Sequence, residues 1–393
     1  MENLVLISEE ELRLRCGRLQ SLMEAVGMNG MLISDNANML ALCGRIFAGY
    51  IWIPATGLPV WFVRRPVELG GMNVVYIHKP EQIPAHLGEE VSRGGFTVGL
   101  ELDVTAYSHV ERLKSLFPEA SVANASAVLR MWRAVKTPGQ IEMMRKSGMK
   151  HAQIYRKVGG LYSPGMTDHE LQVELERLSR LQGCLGVFRI SGSSMELFMG
   201  NVIAGDNADN PTPYDFAMGG AGLDPALPVG ADGEEIREHT TVMIDLNGNF
   251  TGYMTDMTRV YALGSVSQLA LDAHRCSIDI CRRFVDMARP GVAAKELYAM
   301  AEDLVKERGL GRYFMGHRQH AGFVGHGIGI EVNEAPVIAP RSRDILAEGN
   351  TVALEPKFVI PHVGAVGIEN TYLIKSDGVE CLTPCDEEIV PLV

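Results

Sequence analysis

Apolar and polar positions alternate with two different periods in the first third of the chain. EEELRLRCGRLQSLMEAVGMNG carries helical spacing and closes on an Asn-Gly turn, after which GMLISD predicts a strand. VWFVRR, VVYIH and TVGLEL predict further strands, and YSHVERLKSLF a further helix. These elements describe an α/β domain over residues 1–132. The pattern restarts at RMWRAVKTPGQIEMMRKSG, where Thr137 is placed to cap a helix with Pro138 in its first turn. Residues 133–393 are therefore read as a second domain.

That second domain repeats itself. PGMTDHELQVELERL, from Pro164, and PGVAAKELYAMAEDL, from Pro290, share the spacing Pro-Gly-x4-Glu-Leu-x4-Glu-x-Leu. A helical pattern precedes each, and the second is clear, with Leu269, Ala273, Cys276, Ile280, Phe284 and Met287 three or four apart. Pro-Gly is a common breaker, so chance punctuation is the alternative. Duplication is favoured because carboxylates recur in the same two halves.

In MIDLNGNFTGYMTDMTRV, Asp245 and Asp256 stand in apolar runs on either side of a turn-rich link, as in a hairpin. NTVALEPKFVIPHVGAVGIENTYLIK repeats the arrangement with Glu355 and Glu369. A carboxylate in such a run needs a cation, a donor or water. Four brought together cannot all ionise without compensation. Arg259 and Lys357 are the cations close in sequence, too few for four acids, whereas a pair of divalent ions would balance them. A first-row metal would also take a nitrogen ligand. His326, between glycines in GHGIGIEVNEAP, is the candidate because it falls between the two acidic hairpins.

Composition narrows the class. The 393 residues are 46% hydrophobic and 21% charged, which suits a globular protein with a sizeable core. No apolar run is long enough to span a bilayer. A net charge of −12 without a strong basic cluster excludes nucleic acid as the main partner. The seven scattered cysteines give neither a zinc pattern nor a disulfide framework, so reduced thiols and a cytoplasmic setting are expected. MENLVLISEEEL lacks a basic segment before an apolar one, so no signal peptide is expected.

Taken in order, RAVKTPGQIEMMRKSG, MIDLNGNFTGYMTDMTR, GHGIGIEVNEAP, LEPKFVIP and VGIENTYLI resemble the pita-bread metallohydrolases, which include creatinase, aminopeptidase P, prolidase and methionine aminopeptidase. The resemblance implies a creatinase-type α/β N-terminal domain followed by an α+β catalytic domain, duplicated about a pseudo-two-fold axis. It implies Asp245, Asp256, His326, Glu355 and Glu369 as ligands of two divalent metal ions, whether manganese, iron, cobalt or zinc. Glu355 would also be the general base. The implied activity is hydrolysis of an amide C–N bond in a short peptide, of the Xaa-Pro aminopeptidase or dipeptidase type. A creatinase-like amidase or lyase on a small molecule is the alternative, and a non-catalytic binding protein is an alternative of another class. A homodimer is implied, with the N-terminal domain of one subunit near the site of the other.

Three positions depart from the family pattern. Val229 replaces an upstream histidine, Asn333 a second histidine, and Gly367 an arginine before the last glutamate. Asn333 and His320 are then the candidates for hydrogen bonding the reacting group. His317 and His362 are candidates for holding substrate, and Arg45 for anchoring a carboxylate across the dimer. The stretch GNVIAGDNADNPTPYDFAMGGAGLDPALPVG is expected either to shape the pocket or to lie over it without contact.

Overall fold

The computed structural model describes residues 7–71, 73–92, 94–192 and 198–393. The reading of the amino-terminal stretch rests partly on residues 1–6, which lie outside the described residues. The chain divides into two compact units, Met1–Arg133 and Ala134–Val393.

The first unit is built on a mixed six-stranded sheet. Its order is Val74–Tyr76, Val60–Arg65, Ala48–Pro54, Gly30–Ile33, Thr97–Leu100, Ser121–Asn124. The anticipated helices are present at Glu9–Ala25 and Tyr107–Lys114. Ala48–Pro54 was not anticipated, although it runs between two anticipated strands and pairs with both. Its AGYIWIP sequence begins with small residues and ends on proline, which blurs the strand signal. Buried Glu101 accepts hydrogen bonds from the Ser34 and Asp35 amides (2.7 and 2.8 Å) and from Asn38 Nδ2 (2.8 Å), fastening the turn into helix Asn36–Cys43.

In the second unit the duplication is visible as two helix pairs. Pro138–Tyr155 and Asp168–Leu181 form the first, and Gln268–Met287 and Ala294–Glu307 the second. Thr137 and Gln140 make a reciprocal capping box, as do Thr167 and Glu170, so two orphan amides are satisfied at each helix start. The repeat has diverged at Ala293, which offers no side-chain cap to the last helix. Each pair covers its own half. Ile154, Tyr155, Leu171 and Leu175 pack with Val242, Ile244 and Met257, while Cys276, Ile280, Phe284 and Leu297 pack with Val352, Phe358 and Val366. The aspartate hairpin and the glutamate hairpin are thus the inner layer of each half.

His151, on the first helix of this unit, is buried beneath Gly248, where a Cβ would lie 2.5 Å from the imidazole Cγ. Its Nδ1 lies 3.1 Å from Thr255 Oγ1, and its Nε2 has no hydrogen-bond partner among the described residues. Burial, aided by the charge of Arg259, pushes its pKa down from 6.5 to about 3. The unfolded chain therefore takes up this proton first. His151's contribution to stability is intact above about pH 6.5 and is lost as pH falls towards 3. From neutral pH to about pH 5, the native chain should lose roughly 2 kcal/mol more stability than a His151→Leu variant. Urea titrations at the two pH values check this. Equal losses in both chains would contradict it.

Candidate metal centre

Strands Thr240–Asn249 and Met254–Leu263 form the aspartate hairpin, closed where Asn249 Oδ1 accepts the Gly252 amide at 2.9 Å. Its register sets Asp245 opposite Thr258 and Asn247 opposite Asp256. Directly opposed residues share a face, and so do residues two apart, so all four side chains point the same way. That answers why acids interrupt apolar strands. One face of the hairpin is core and the other is a site.

The glutamates are placed differently from the expectation that both stand inside strands. Glu355 follows Thr351–Leu354 and precedes Lys357–Ile360, while Glu369 lies between Gly364–Gly367 and Asn370–Lys375. The two halves of this long hairpin belong to different sheets, and both acids sit at the break between them. Pro356, which has no amide hydrogen, suits such a break. A two-way backbone bridge between Thr258 and Glu369 joins the hairpins, reinforced by Thr258 Oγ1 donating to Glu369 Oε2 at 2.8 Å. His326 enters from strand Gly325–Gly327, paired with Ala353 of the neighbouring strand.

Two sets of ligand atoms result, Asp256 with His326 and Glu369, and Asp245 with Glu355 and Glu369, each set lying within 4.8 Å. In the first set Glu369 Oε1 is buried without a hydrogen-bond partner among the described residues, and His326 Nδ1 lies 3.1 Å from the Gly327 carbonyl, which leaves Nε2 to face the acids. Two carboxylates, one of them with an unsatisfied oxygen, and an imidazole fit one divalent cation. The second set already contains a cation. Lys357 Nζ lies 2.8 Å from Asp245 Oδ2, 2.7 Å from Glu355 Oε2 and 3.2 Å from Glu369 Oε2, with its side chain fully buried. Arg259, the other nearby charge, is spent on the carbonyls of Thr258, Glu369, Cys385 and Asp386 and on Asn370 Oδ1.

The electrostatics follow this division. Burial and the charges of Glu369, Asp245 and Glu355 push the Asp256 carboxyl well above the usual range. Burial and neighbouring Glu355 raise Glu369 to about 8. Burial also opposes charge on Glu355, but the Lys357 ammonium and His326 outweigh it and hold the carboxyl at about 2. Against its own burial, His326 is raised to about 9 by its hydrogen bond to Glu355 and by the charges of Glu355 and Glu369. Without metal, the first set thus relies on protons for neutrality. A bound cation would displace them.

The centre lines a cavity of about 270 Å³. Its wall is mostly apolar, with Ile190, Phe216, Met218, Phe323 and Val332, and it carries Asn201, Asn247 and Asp215 as further polar groups. The long glycine-rich stretch shapes this wall through Gly200, Asn201 and Asp215 to Met218. Asn333 also lines it, but its amide is engaged with the Ser191 backbone, accepting at 2.7 Å and donating at 2.6 Å. Val229 is buried and does not line the cavity.

The extra histidines lie outside the cavity. His317 Nδ1 is 2.9 Å from Asp209 Oδ2, and His320 Nδ1 is 2.9 Å from the Phe314 carbonyl. Neither lines this cavity; His320 lines an adjoining pocket that shares Asp215 to Met218 with it. Both sit in a polar turn with backbone or acid partners of their own. The side chain of His362 is 90% exposed beside Asp206, at the solvent end of the glutamate hairpin rather than inside it. Arg45 donates to the Gly70 carbonyl within the first unit. Asn247 and Asn201 were missed. Asn247 was legible, because it stands two residues after Asp245 on the same strand and so shares its face.

Residues 142–376 match the model of metallopeptidase family M24, and residues 15–135 match that of the creatinase/prolidase N-terminal domain. The chain belongs to metallopeptidase family M24. Among M24 relatives, it is 28% identical to an Xaa-Pro dipeptidase of Pyrococcus furiosus over 77% of each chain. It is 24% identical to an Xaa-Pro dipeptidase of Pyrococcus horikoshii over 94% of this chain and 96% of that one. Its fold resembles the solved Xaa-Pro dipeptidase from Bacillus anthracis (TM-score 0.77, 24% identity, 97% of this chain and 100% of that one). The X-Pro aminopeptidase from Thermotoga maritima is similar (TM-score 0.77, 21% identity, 94% and 99%). The architecture is therefore that of the M24 peptidases, a creatinase-type domain followed by the pita-bread domain.

Proposed function

We propose that the chain is a metal-dependent peptidase that hydrolyses Xaa-Pro bonds in short peptides. The observation that carries this reading is the meeting of Asp256, His326 and buried Glu369 in an M24 chain, with Asp256 and His326 lining a largely apolar cavity. These three residues would hold a divalent cation, with Glu355 beside them. Such a cation supplies Lewis-acid polarisation of the scissile carbonyl and lowers the pKa of water at the site.

The protein's own residues do the rest. Glu355 is held by Lys357 Nζ at Oε2 (2.7 Å), a contact that a cation on His326 Nε2 would leave in place, so its carboxylate is fixed in orientation. Its depressed pKa keeps it ionised at neutral pH, the state a proton acceptor requires. It would take a proton from water and return it to the leaving nitrogen. Phe216, Phe323 and Met218 offer an apolar wall for a proline ring and exclude water from it. The histidine donors usual in the family are absent from the cavity, which leaves the Asn201 and Asn247 amides to orient the peptide.

The cation-loaded protein should cleave Xaa-Pro di- or tripeptides and lose that activity on chelation. A loaded protein that cleaves none of them, yet turns over creatine or another non-peptide amide, would overturn the peptidase reading.

A homodimer in a reducing cytoplasm completes the proposal. All seven cysteines are free, and no helix among the described residues is long and apolar enough to cross a membrane. Arg45 is proposed to meet substrate only in such a dimer.

A further inference from the structure

We infer that the Lys357 side chain occupies the place of a second metal ion, so that the centre takes one divalent cation, on Asp256, His326 and Glu369, and not two. This rests on the reading above that the centre binds metal at all.

The family implies divalent ions, and five ligand-type residues are present. Only one of the two sets is open to an ion. The ammonium of Lys357 touches one oxygen from each acid of the other set, at 2.7 to 3.2 Å. A cation bound to those same oxygens would share their small enclosure with Nζ, and like charges at such separation repel strongly. The lysine is not a surface side chain that has folded inward. It lies on strand Lys357–Ile360, two residues beyond Glu355, and is fully buried. Leaving would mean withdrawing an ammonium from three ionic hydrogen bonds through packed protein.

The partner strand is matched to it. Lys357 is paired in register with Gly367. Gly367 has a φ of +130°, and a Cβ there would lie 2.9 Å from Lys357 Cα and 2.5 Å from the Pro356 carbonyl oxygen. Position 367 is where the family pattern carries an arginine. In this chain the positive charge stands directly across the ladder instead, pointing into the acids. The result is a tethered monovalent cation that neutralises one carboxylate charge and bridges both hairpins. It also leaves Asp245 without a metal to bind, converting that residue from ligand to ion-pair partner.

The test is metal stoichiometry, read independently of activity. The full chain is stripped with chelator and titrated with Mn²⁺ by calorimetry, with metal per chain counted after desalting and the ion examined by electron paramagnetic resonance. The native chain should bind one Mn²⁺ with the signal of an isolated ion. Lys357→Ala, which vacates the space and releases three acids, should bind two, with the signal of a coupled pair. Lys357→Met, which keeps the volume without the charge, should still bind one.

Two ions in the native chain would overturn the inference while leaving the metal-centre reading intact. One ion in both the native chain and Lys357→Ala would also overturn it, because the lysine would then not be what excludes the second ion. No bound ion in any chain would overturn the metal-centre reading and this inference with it. If Lys357→Ala does not fold, Lys357→Ser, which also vacates the space, takes its place, and one ion in that variant would overturn the inference.

Discussion

Asp256→Asn should strip the protein of its metal and its hydrolytic activity while leaving the metal-free fold as stable as before, or more so. Asp256 is buried at the meeting point of three other acids, and its carboxyl is pushed well above the usual range by burial and by those neighbours. Without metal it is therefore a source of repulsion. The amide keeps its shape, and Oδ1 can still accept from the Met257 amide at 3.0 Å. What the substitution removes is the negative charge that a divalent ion requires. Loss of an outer-shell partner alone typically costs about 10–100-fold in metal affinity or activity, and loss of a ligand should exceed that. Metal analysis, peptide hydrolysis and the melting temperature of the metal-free protein check the three parts. Unchanged metal content would remove Asp256 from the centre. A large loss of stability would show that its role is structural.

Arg259→Met should behave in the opposite way, with the fold lost before the chemistry. Its guanidinium is wholly enclosed and donates to four backbone carbonyls and to Asn370 Oδ1. One of those carbonyls belongs to Glu369, so the arginine ties the aspartate hairpin to the glutamate hairpin and to the loop at Cys385 and Asp386. Methionine fills much of the volume but donates to none of these acceptors; Thr258 and Glu369 keep their backbone bridge, whereas the Cys385 and Asp386 carbonyls lose their donor. Each orphaned group costs about 1–3 kcal/mol, so with the lost guanidinium contacts a loss of about 3–5 kcal/mol is expected. Arg259→Lys should recover only a small part, because a single ammonium cannot reproduce a planar fork with five donors. Urea unfolding of the metal-free protein measures the loss. A change under about 1 kcal/mol would mean that these contacts are not what joins the two halves.

The two-domain architecture was readable because its signals are local. Thr137 and Thr167 start helices with capping boxes, and the repeated Pro-Gly-x4-Glu-Leu spacing marks corresponding helices in the two halves. The aspartate face was equally local, since strand period alone sets Asp245 and Asn247 on one side. The glutamates were harder. Their place at a break between two sheets depends on how a long hairpin bends, which no period in the sequence records.

The places of the two nearby cations were not legible for the same reason. Lys357 and Arg259 look alike in sequence as cations near acids, yet one ends among the carboxylates and the other among carbonyls. Which way a buried side chain points, and whose oxygens it meets, is decided by tertiary packing. The histidines differ again. His317, His320 and His362 stand near His326 and the glutamates in sequence, but none of them lines the cavity, and nearness along the chain does not record that.

The most direct measurement is a crystal of the Mn²⁺-loaded protein with diffraction recorded at the manganese edge. An anomalous peak enclosed by Asp256, His326 and Glu369 is the predicted result. Its absence from that place, with the metal bound elsewhere or nowhere, would contradict the account.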